Sequence, residues 1–403
     1  MISDQSNQNF FIPQLDRPGQ TLSSSAQVFG ALIKQELKSN PNFYLFSPDE
    51  TTSNRLSAVY ETAARAWANL PTLAQDLPSS VDGHIIELLS ENVLFATMQG
   101  HLFAAKPAIM TSYEAFFAII TSQIIQHLKF LDQSIKTSWR PAYPAANLLS
   151  TSTCWRQDHN GFSHQSPALI STLLAHPGQN VNCLFPVDDV AAHAAYRFML
   201  SSQNVVNLTT FNKIKQPRWL DSHQARQELK NGASIFKFIS DENPDIIFTA
   251  AGDIPVRESI YAMQLLRHSL PNLKLRFVNL AALTHNAIGT TNSKLDQSTF
   301  DQYFGTTQPI IANFHAYPDT LKQILSNYTD PSRITAHGFI EQGSTTTPFE
   351  MLSLNQTSRY HLAISAAKLL NQPDLITSYQ NILKQNSIYA QKHGVDRVSE
   401  IIL

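Results

Sequence analysis

The sequence predicts an α/β protein with two domains, each built on a mainly parallel sheet that is flanked by helices. Three observations support this fold class. The chain has 403 residues, which is more than one hydrophobic core usually serves. Short strand-like segments alternate with longer segments of helical period, as in parallel sheets that are covered on both faces. A polar stretch at about 212–243 interrupts the alternation, which then starts again.

The first predicted domain covers residues 25–211. It follows a polar, proline-punctuated segment at 1–24, which we interpret as an extended arm. Helices are predicted where apolar residues recur every three or four positions, and strands where short apolar runs occur. The predicted helices begin near residues 25, 54, 91, 115 and 190. The predicted strands lie at 43–46, 84–89, 108–113, 181–187 and 205–211.

The second predicted domain covers residues 244–403 and follows the stretch at 212–243, which we interpret as a linker. The same alternation of short apolar runs and helical periods defines its elements. Its predicted strands lie at 245–252, 273–283, 309–317 and 333–339, and its predicted helices at 256–270, 319–328 and from residue 359 onward.

Composition excludes several classes of protein. A formal net charge of −2 gives no basic face for nucleic acid or for a membrane surface. The longest apolar runs are far shorter than the roughly 20 residues that cross a bilayer, and the first residues do not resemble a secretion signal. Two cysteines predict no disulfide framework and indicate a reducing, cytoplasmic location. Glycine-rich nucleotide loops and the G-x-S-x-G motif of hydrolases are absent.

Polar clusters follow several of the predicted strands. They are the stretch "SPDETTSNR" at 47–55, the pair Ser90 and Glu91, the stretch "TSYEAF" at 111–116, and Lys213. Ligands of open α/β sheets bind outside the carboxyl ends of the strands. We therefore expect these clusters to converge on one site.

Each cluster also has a structural interpretation. Ser90 and Glu91 suit the capped first turn of a helix, and the stretch at 47–55 resembles a helix start because a proline and two acids open it. Tyr113 and Phe116 are equally suited to a hydrophobic core or to stacking on a flat ligand. The sequence leaves both interpretations open at each position.

The stretch 152–165, "STCWRQDHNGFSHQ", combines an unusual number of hydrogen-bonding side chains. His159 and His164 suggest a metal site, but Gly161 and Phe162 between them argue against the single helical face that an H-E-x-x-H zinc site requires. A loop that binds a phosphate or a sugar is the better interpretation, since His, Asn and Gln side chains all donate hydrogen bonds to oxygen.

Six stretches together resemble, in order and spacing, the C-terminal half of the phosphoketolases, which are thiamine-diphosphate enzymes of the transketolase-like group. The resemblance runs from about residue 10 to about residue 370. The stretches are "SPDETTSNRL", "LLSEN", "SYEAF", "WRQDHNGFSHQ", "ANFHAYP" and "GSTTTPFEMLSLN".

This resemblance implies a lyase that cleaves xylulose 5-phosphate or fructose 6-phosphate with inorganic phosphate, giving acetyl phosphate and an aldose phosphate. It implies a transketolase-like pyrimidine-binding module followed by the C-terminal module, and a homodimer. The N-terminal diphosphate-binding half, with its Mg²⁺ site, is then missing, so this chain is expected to bind the pyrimidine end of thiamine diphosphate and to be inactive alone. The nearest sequence to the Mg²⁺ signature is "AAGDIP" at 250–255, in the wrong domain.

The resemblance also implies roles for individual residues, and no metal ligands. Glu91, His159 and His164 are the expected catalytic residues. Glu91, Phe116 and Tyr113 are expected to hold the aminopyrimidine, with Glu91 promoting its activation. Lys215 is the alternative to Lys213 should the alignment slip. Substrate and phosphate are expected to contact Ser53, Tyr113, Gln157, His159, Asn160 and Lys213.

Three positions depart from the family pattern. Asn92 stands where a histidine is usual, Lys106-Pro107 where Arg-His is usual, and Asn212 where a glycine is usual. We expect these positions to flank the cofactor pocket. The changed segment at 92–108 motivates an alternative function, a non-catalytic dimerisation or regulatory subunit derived from a phosphoketolase.

Overall fold

A computed structural model describes Leu15 and residues 17–67, 77–289 and 293–397. Most of the predicted arm at 1–24 lies outside these residues. The strands are β1 Leu22–Ser23, β2 Tyr44–Ser47, β3 Arg65–Ala66, β4 Ser79–Ser80, β5 Ile85–Glu87, β6 Ala108–Tyr113, β7 Ala146–Thr151, β8 Val181–Leu184, β9 Val206–Thr210, β10 Gln216–Pro217, β11 Ala233–Ile235, β12 Ile246–Ala251, β13 Leu275–Leu280, β14 Ala282–Thr284, β15 Ile310–Phe314 and β16 Ile334–His337.

The helices lie between the strands in the alternation that the sequence predicts. They are α1 Ser25–Ser39, α2 Glu91–Phe103, α3 Thr121–Ile135, α4 Ala168–Leu174, α5 Asp189–Ser201, α6 Ser222–Asn231, α7 Asp253–Ser269, α8 Gln297–Phe304, α9 Pro318–Ser326, α10 Pro348–Leu354, α11 Arg359–Leu369 and α12 Pro373–His393. None of the helices in the described residues combines the length and the apolar character needed to cross a bilayer.

The described residues form two large sheets, which confirms the predicted α/β class. The first has the order β14–β8–β9–β7–β6–β2–β5–β3–β4, and all of its pairs are parallel except β14 with β8. The second has the order β11–β13–β12–β15–β16 and is parallel except for β11. Because neighbouring strands run the same way, the loops after them meet at one edge of each sheet.

The stretch at 212–243, expected to be a linker, contains regular elements. Helix α6 begins with a capping box between Asp221 and Gln224 and ends at Gly232, whose φ of +78° suits a glycine. Strand β11 follows and pairs antiparallel with β13, so this part of the chain joins the second sheet.

The prediction of a helix that begins at residue 54 is wrong. Arg55 has a left-handed backbone, with φ of +64°, and only Ser57–Glu61 forms a short 3-10 helix. The chain then enters β3, where Arg65 N–H donates to the carbonyl of Pro78 at 2.8 Å. Pairing with a distant strand has therefore replaced local helical bonding.

Two further local expectations need correction. The stretch at 47–55 is a series of turns, not a helix start, and Asp49 in it has φ of +61°. Strand β7 was not predicted; it is buried along its whole length and lies between β9 and β6 in the first sheet. A central strand covered on both faces shows no polar alternation to mark it.

The hydrophobic core is continuous between the two sheets. One cluster of buried side chains includes Phe46 and Phe185 from the first sheet region, and Val278 and Phe314 from the second. The rings of Phe185 and Phe314 lie 5.8 Å apart at 70°, an edge-to-face contact. The two sheets are therefore held against each other by apolar burial as well as by the polar contacts described below.

Candidate functional site

Five neighbouring strands of the first sheet deliver polar side chains to one edge. In sheet order they are β9, β7, β6, β2 and β5. The loops that follow their carboxyl ends begin at residues 211, 152, 114, 48 and 88. All of the residues that the sequence analysis selected for the site lie in these loops, or in the last residue or first turn of the adjoining elements.

Tyr113 lies at the centre of this edge. Its hydroxyl donates to Ser53 Oγ at 3.0 Å, and its ring lies parallel to that of Phe116, with 5.9 Å between centroids. The ring of His164 meets Phe116 edge-on at 5.0 Å. Lys213 Nζ lies 5.0 Å from the centroid of the Tyr113 ring, a cation–π contact. The structure thus brings together Ser53, Tyr113, Phe116, His164 and Lys213, although their sequence positions span 160 residues.

Two carboxylates border this cluster. Glu91 is half-buried at the first turn of α2, where Ser90 Oγ caps the helix by accepting from Val93 N–H at 3.4 Å. Glu50 accepts a hydrogen bond from Tyr113 N–H at 2.9 Å. Burial raises the pKa of Glu50 to about 7; the bond from Tyr113 opposes this rise, and the negative charge of Glu91 adds to it. One carboxylate here is therefore poised to hold a proton near neutral pH.

Positive charge also gathers close to Tyr113 and Glu50. Burial lowers the pKa of Lys213, and the charges of Arg55 and Arg156 lower it further, while Glu50 opposes the shift. A lysine with two neighbouring guanidinium groups attracts an anion such as a phosphate group. Lys215, the alternative to Lys213, is exposed and lines a different concavity, beside Asp189 and Arg218.

The stretch 152–165 forms an irregular loop that Gln157 holds together. Gln157 is fully buried; its Nε2 donates to the carbonyl of Ser152 at 2.7 Å, and its Oε1 accepts from Asn160 Nδ2 at 2.8 Å. Both ends of the Gln157 amide are thus engaged inside the loop. Its neighbours His159 and Asn160 are exposed, so this part of the loop faces solvent.

Asn54, in the stretch 47–55, is buried and hydrogen-bonded. Its Oδ1 accepts from Ser152 Oγ at 2.9 Å and also from the hydroxyl of Thr151. It therefore ties the 47–55 turns to the end of β7. Arg55, the next residue, is exposed and close enough to Lys213 for their charges to interact.

The three departures from the family pattern lie in different places. Asn92 exchanges hydrogen bonds with Gln123, which link α2 to α3 close to the site. Lys106 and Pro107 precede β6 whereas the candidate site follows it, so the length of β6 separates them from that site. Six residues of extended chain span about 20 Å. Asn212 is fully engaged with Asp253, as described below.

Four acidic or imidazole side chains make contacts near the site but were not among the residues predicted for it. They are Glu50, Glu114, Asp253 and His315, and each lies inside a stretch already singled out by its motif. The one available signal was position, since each lies within three residues of the end of a strand.

Glu114, Cys154 and His315 form the one group of three potential metal ligands among the described residues, with ligand atoms within 4.8 Å of one another. His159 and His164, which the sequence suggested as a metal pair, are not part of such a group. Burial raises the pKa of the Cys154 thiol well above its usual value, and the nearby Glu114 raises it further. A protonated thiol is a poor metal ligand.

Large apolar side chains are exposed around the site. We call Leu88, Leu89, Val93, Ile119 and Phe162 the apolar collar; Leu89 is 85% and Phe162 78% exposed. All five lie in the loops after the strands or in the helices that begin there. Large exposed apolar side chains that gather around one edge are a feature of interaction sites.

Comparison with known proteins agrees with this geometry. Residues 27–202 match the family described as D-xylulose 5-phosphate/D-fructose 6-phosphate phosphoketolase, and residues 213–401 match its C-terminal domain. A "Probable phosphoketolase" of Brucella suis is 34% identical over 391 residues, covering 94% of this chain and 49% of that protein. One of Rhodopseudomonas palustris is 35% identical over 393 residues, covering 95% and 50%. The chain thus spans about half the length of these relatives.

Solved structures show the same fold. A transketolase of Pichia stipitis in complex with sedoheptulose 7-phosphate superposes with a TM-score of 0.67 at 16% identity, covering 96% of this chain and 49% of that one. A structure described as a split-gene transketolase, an inactive β4 tetramer, superposes with a TM-score of 0.57 at 14% identity, covering 87% of this chain and 99% of that one. The fold is therefore transketolase-like. From its sequence matches, the chain belongs to the phosphoketolase family.

Proposed function

We propose that this chain is the C-terminal part of a thiamine-diphosphate-dependent phosphoketolase, and that it becomes active only with a diphosphate-binding half. The reaction cleaves xylulose 5-phosphate or fructose 6-phosphate with inorganic phosphate into acetyl phosphate, an aldose phosphate and water. The observation that carries the proposal is the convergence of Glu91, Tyr113, Phe116, His164 and Lys213 at one sheet edge, in a member of this family.

The residues at this edge fit the pyrimidine end of the cofactor. Thiamine diphosphate supplies a nucleophilic carbon that attacks a ketone carbonyl and accepts the electrons of the broken carbon–carbon bond. The half-buried ring of Phe116 offers a flat apolar face for the aminopyrimidine, and the parallel ring of Tyr113 extends that face. The carboxylate of Glu91 is assigned to hold a ring nitrogen of the pyrimidine. Mg²⁺ and the diphosphate are assigned to the other half.

The cationic side of the site is assigned to substrate. Lys213, Arg55 and Arg156 would neutralise the phosphate of the sugar or the attacking inorganic phosphate. Ser53, His159, Asn160 and His164 line the solvent-facing side and can donate to sugar hydroxyls. Gln157 is assigned a supporting role, since it fixes the loop that carries Asn160.

The apolar collar is assigned to the partner half. A transketolase chain described as coming from a split gene and as inactive in a β4 tetramer has nearly the same extent as this chain, which supports a chain of this kind folding without a diphosphate-binding half. Docking of that half over Leu89 and Phe162 would cover the exposed apolar side chains and close the site. The resemblance further implies a homodimer of the complete enzyme.

The test is acetyl phosphate formation from xylulose 5-phosphate, inorganic phosphate, Mg²⁺ and thiamine diphosphate. The chain is assayed alone and mixed with the N-terminal half of the Brucella suis relative. We expect activity in the mixture and none from either part. A folded chain that stays inactive with every N-terminal half tried, including its native one, would favour the non-catalytic subunit.

A variant locates the activity at the proposed site. Glu91→Gln keeps the size of the side chain but cannot accept a proton, and we expect the mixture to lose about a hundredfold or more in rate. Glu242→Gln, at an exposed carboxylate in the second domain, is the matched control and should retain full rate. Equal rates in the two variants would remove Glu91 from the mechanism.

A further inference from the structure

Glu114 joins three parts of the molecule with one buried carboxylate. It begins the 3-10 helix that carries Phe116, and it is 3% exposed. Its Oε2 accepts from the backbone N–H of Cys154, at the start of the 154–165 loop, at 2.7 Å. Its Oε1 lies 2.7 Å from Nε2 of His315, which belongs to the second domain.

His315 holds the same loop by a second route. Its backbone carbonyl accepts from Trp155 Nε1 at 3.1 Å, and its own N–H donates to the carbonyl of Ala251 at the end of β12. Two consecutive residues of the loop, Cys154 and Trp155, are therefore tied to one interdomain pair. The loop that carries His159 and His164 thus starts from a point that the second domain helps to fix.

Asp253 makes the corresponding connection to Lys213. Its Oδ2 accepts from the backbone N–H of Asn212 at 2.9 Å and also from the Asn212 side-chain amide. Asn212 Oδ1 in turn accepts from Ile214 N–H at 2.8 Å. The bonds of Asn212 therefore fix the backbone on both sides of Lys213, which gives a physical reason for an asparagine at this position.

Two carboxylates act on His315. His315 is fully buried; burial lowers its pKa, but the charge and hydrogen bond of Glu114 and the charge of Asp253 outweigh burial and raise the pKa above the usual 6.5. The two carboxylates therefore favour the protonated form of His315. The remaining titratable group that faces it, the thiol of Cys154, stays neutral.

We propose that Glu114, His315 and Asp253 are positioning residues, through which the C-terminal domain aligns the 154–165 loop and Lys213 with the candidate site. None of the three needs to touch substrate. The inference rests on the proposed function for the importance of the loop and of Lys213, while the contacts themselves can be tested in the isolated chain.

Hydrogen exchange measured by mass spectrometry tests the two connections separately. We expect Glu114→Ala to speed exchange in the peptide 152–165 by at least about tenfold, because Cys154 N–H loses its acceptor. His315→Gln should speed exchange in the same peptide, because the Glu114 carboxylate loses the partner that holds it in place. Asp253→Asn should speed exchange in the peptide 211–216 through Asn212 N–H. Glu114→Ala is the second variant should His315→Gln fail to fold.

The matched control is His361→Gln. His361 is another histidine of the second domain, but its Nδ1 bonds to Ser358 within that domain. It should leave both peptides unchanged. Unchanged exchange in His315→Gln and Asp253→Asn, or equal loss of protection in His361→Gln, would overturn the proposal.

The pH dependence of stability gives an independent readout. Since the folded-state pKa of His315 is raised, its contribution to stability is complete below pH 6.5 and is lost as the pH rises through the folded pKa. The difference in unfolding free energy between wild type and His315→Gln should therefore shrink with rising pH. A difference that is constant with pH would contradict a charged His315.

Two further outcomes separate this inference from the proposed function. In the reconstituted enzyme, His315→Gln should change the pH profile of kcat/KM, whereas His361→Gln should not. If the wild-type mixture is inactive, the proposed function fails while hydrogen exchange still decides the positioning role. A stoichiometric transition metal in the purified chain would overturn the inference, because Glu114, Cys154 and His315 would then be its ligands.

Discussion

The carboxylate of Glu50 accepts a hydrogen bond from the backbone N–H of Tyr113 at 2.9 Å, next to the carboxylate of Glu91. This contact joins the turns after β2 to the end of β6 across neighbouring strands. It also places a second acid beside the one that the family resemblance singles out. Neither the spacing of the two glutamates nor their local sequence predicts that they are neighbours.

The pKa of Glu50 leads to a prediction for stability. Its folded-state value of about 7 exceeds the usual 4.5, so the folded state binds a proton between these values that the unfolded state has released. The contribution of Glu50 to stability should fall as the pH rises from 4.5 to 7. Glu50→Gln cannot ionise. The free energy of unfolding of this variant minus that of wild type, measured in urea, should therefore increase by about 2–3 kcal/mol between pH 5 and pH 8.

The control for this prediction is Glu61→Gln. The Glu61 side chain is 64% exposed, so its pairing with Lys34 is screened by solvent and its removal should give no comparable pH dependence. A pH dependence in Glu50→Gln that matches Glu61→Gln would show that Glu50 is charged at neutral pH.

Gly252 is predicted to be required where the two domains meet. Its φ of +109° is unfavourable for other residues, and a Cβ there would lie 2.8 Å from Cβ of His315. Gly252→Ala should destabilise the chain by about 1–3 kcal/mol from backbone strain alone, measured by urea unfolding. Gly100→Ala is the control: Gly100 is exposed in α2 with nothing within 4 Å of the added Cβ, so we expect a gain of about 0.5–1 kcal/mol. Destabilisation by both substitutions would indicate a general sensitivity to alanine.

Glu258 is predicted to be essential for the stability of the second domain. It is fully buried; Arg359 donates to it from Nε at 2.9 Å and from Nη2 at 2.8 Å, and Arg257 also contacts it. Glu258→Gln removes the negative charge that two buried guanidinium groups share, which should cost about 3–5 kcal/mol in thermal or urea unfolding. Lys34→Met, which breaks an exposed ion pair, should cost less than about 1 kcal/mol. Similar costs for the two variants would argue against a buried pair.

The continuous core predicts cooperative unfolding of both domains. Phe314→Ala removes a buried ring that packs on Phe185 of the first domain, and should cost about 3–5 kcal/mol. The urea midpoint should shift by the same amount whether unfolding is followed by the helical or by the near-ultraviolet circular dichroism signal. Phe162→Ala, at a ring that is 78% exposed, should leave the midpoint unchanged. A separate early transition in Phe314→Ala would show that the domains unfold independently.

Much of the fold follows from local sequence patterns. The strands at 108–113 and 206–210 and the helices that begin at residues 25 and 91 lie close to their predicted places, since period and capping act over a few residues. The prediction fails from residue 54, where a helix-like spacing forms one 3-10 turn and then β3. The partners of β3 lie about 15–20 residues away, and their backbone hydrogen bonds decide the outcome.

The candidate site, too, combines features that local sequence predicts with features that only long-range contacts decide. The sequence by itself determined which side chains lie at strand ends, and therefore that Glu91, Tyr113, Phe116 and Lys213 share one edge of a parallel sheet. The tertiary structure alone decided that Gln157 turns inward, that Glu50 lies beside Glu91, and that His315 reaches Glu114 across 201 residues. The physical reason is range: period, capping and turn preferences act within a few residues, whereas burial, pKa and hydrogen-bond partners depend on which distant segments pack together.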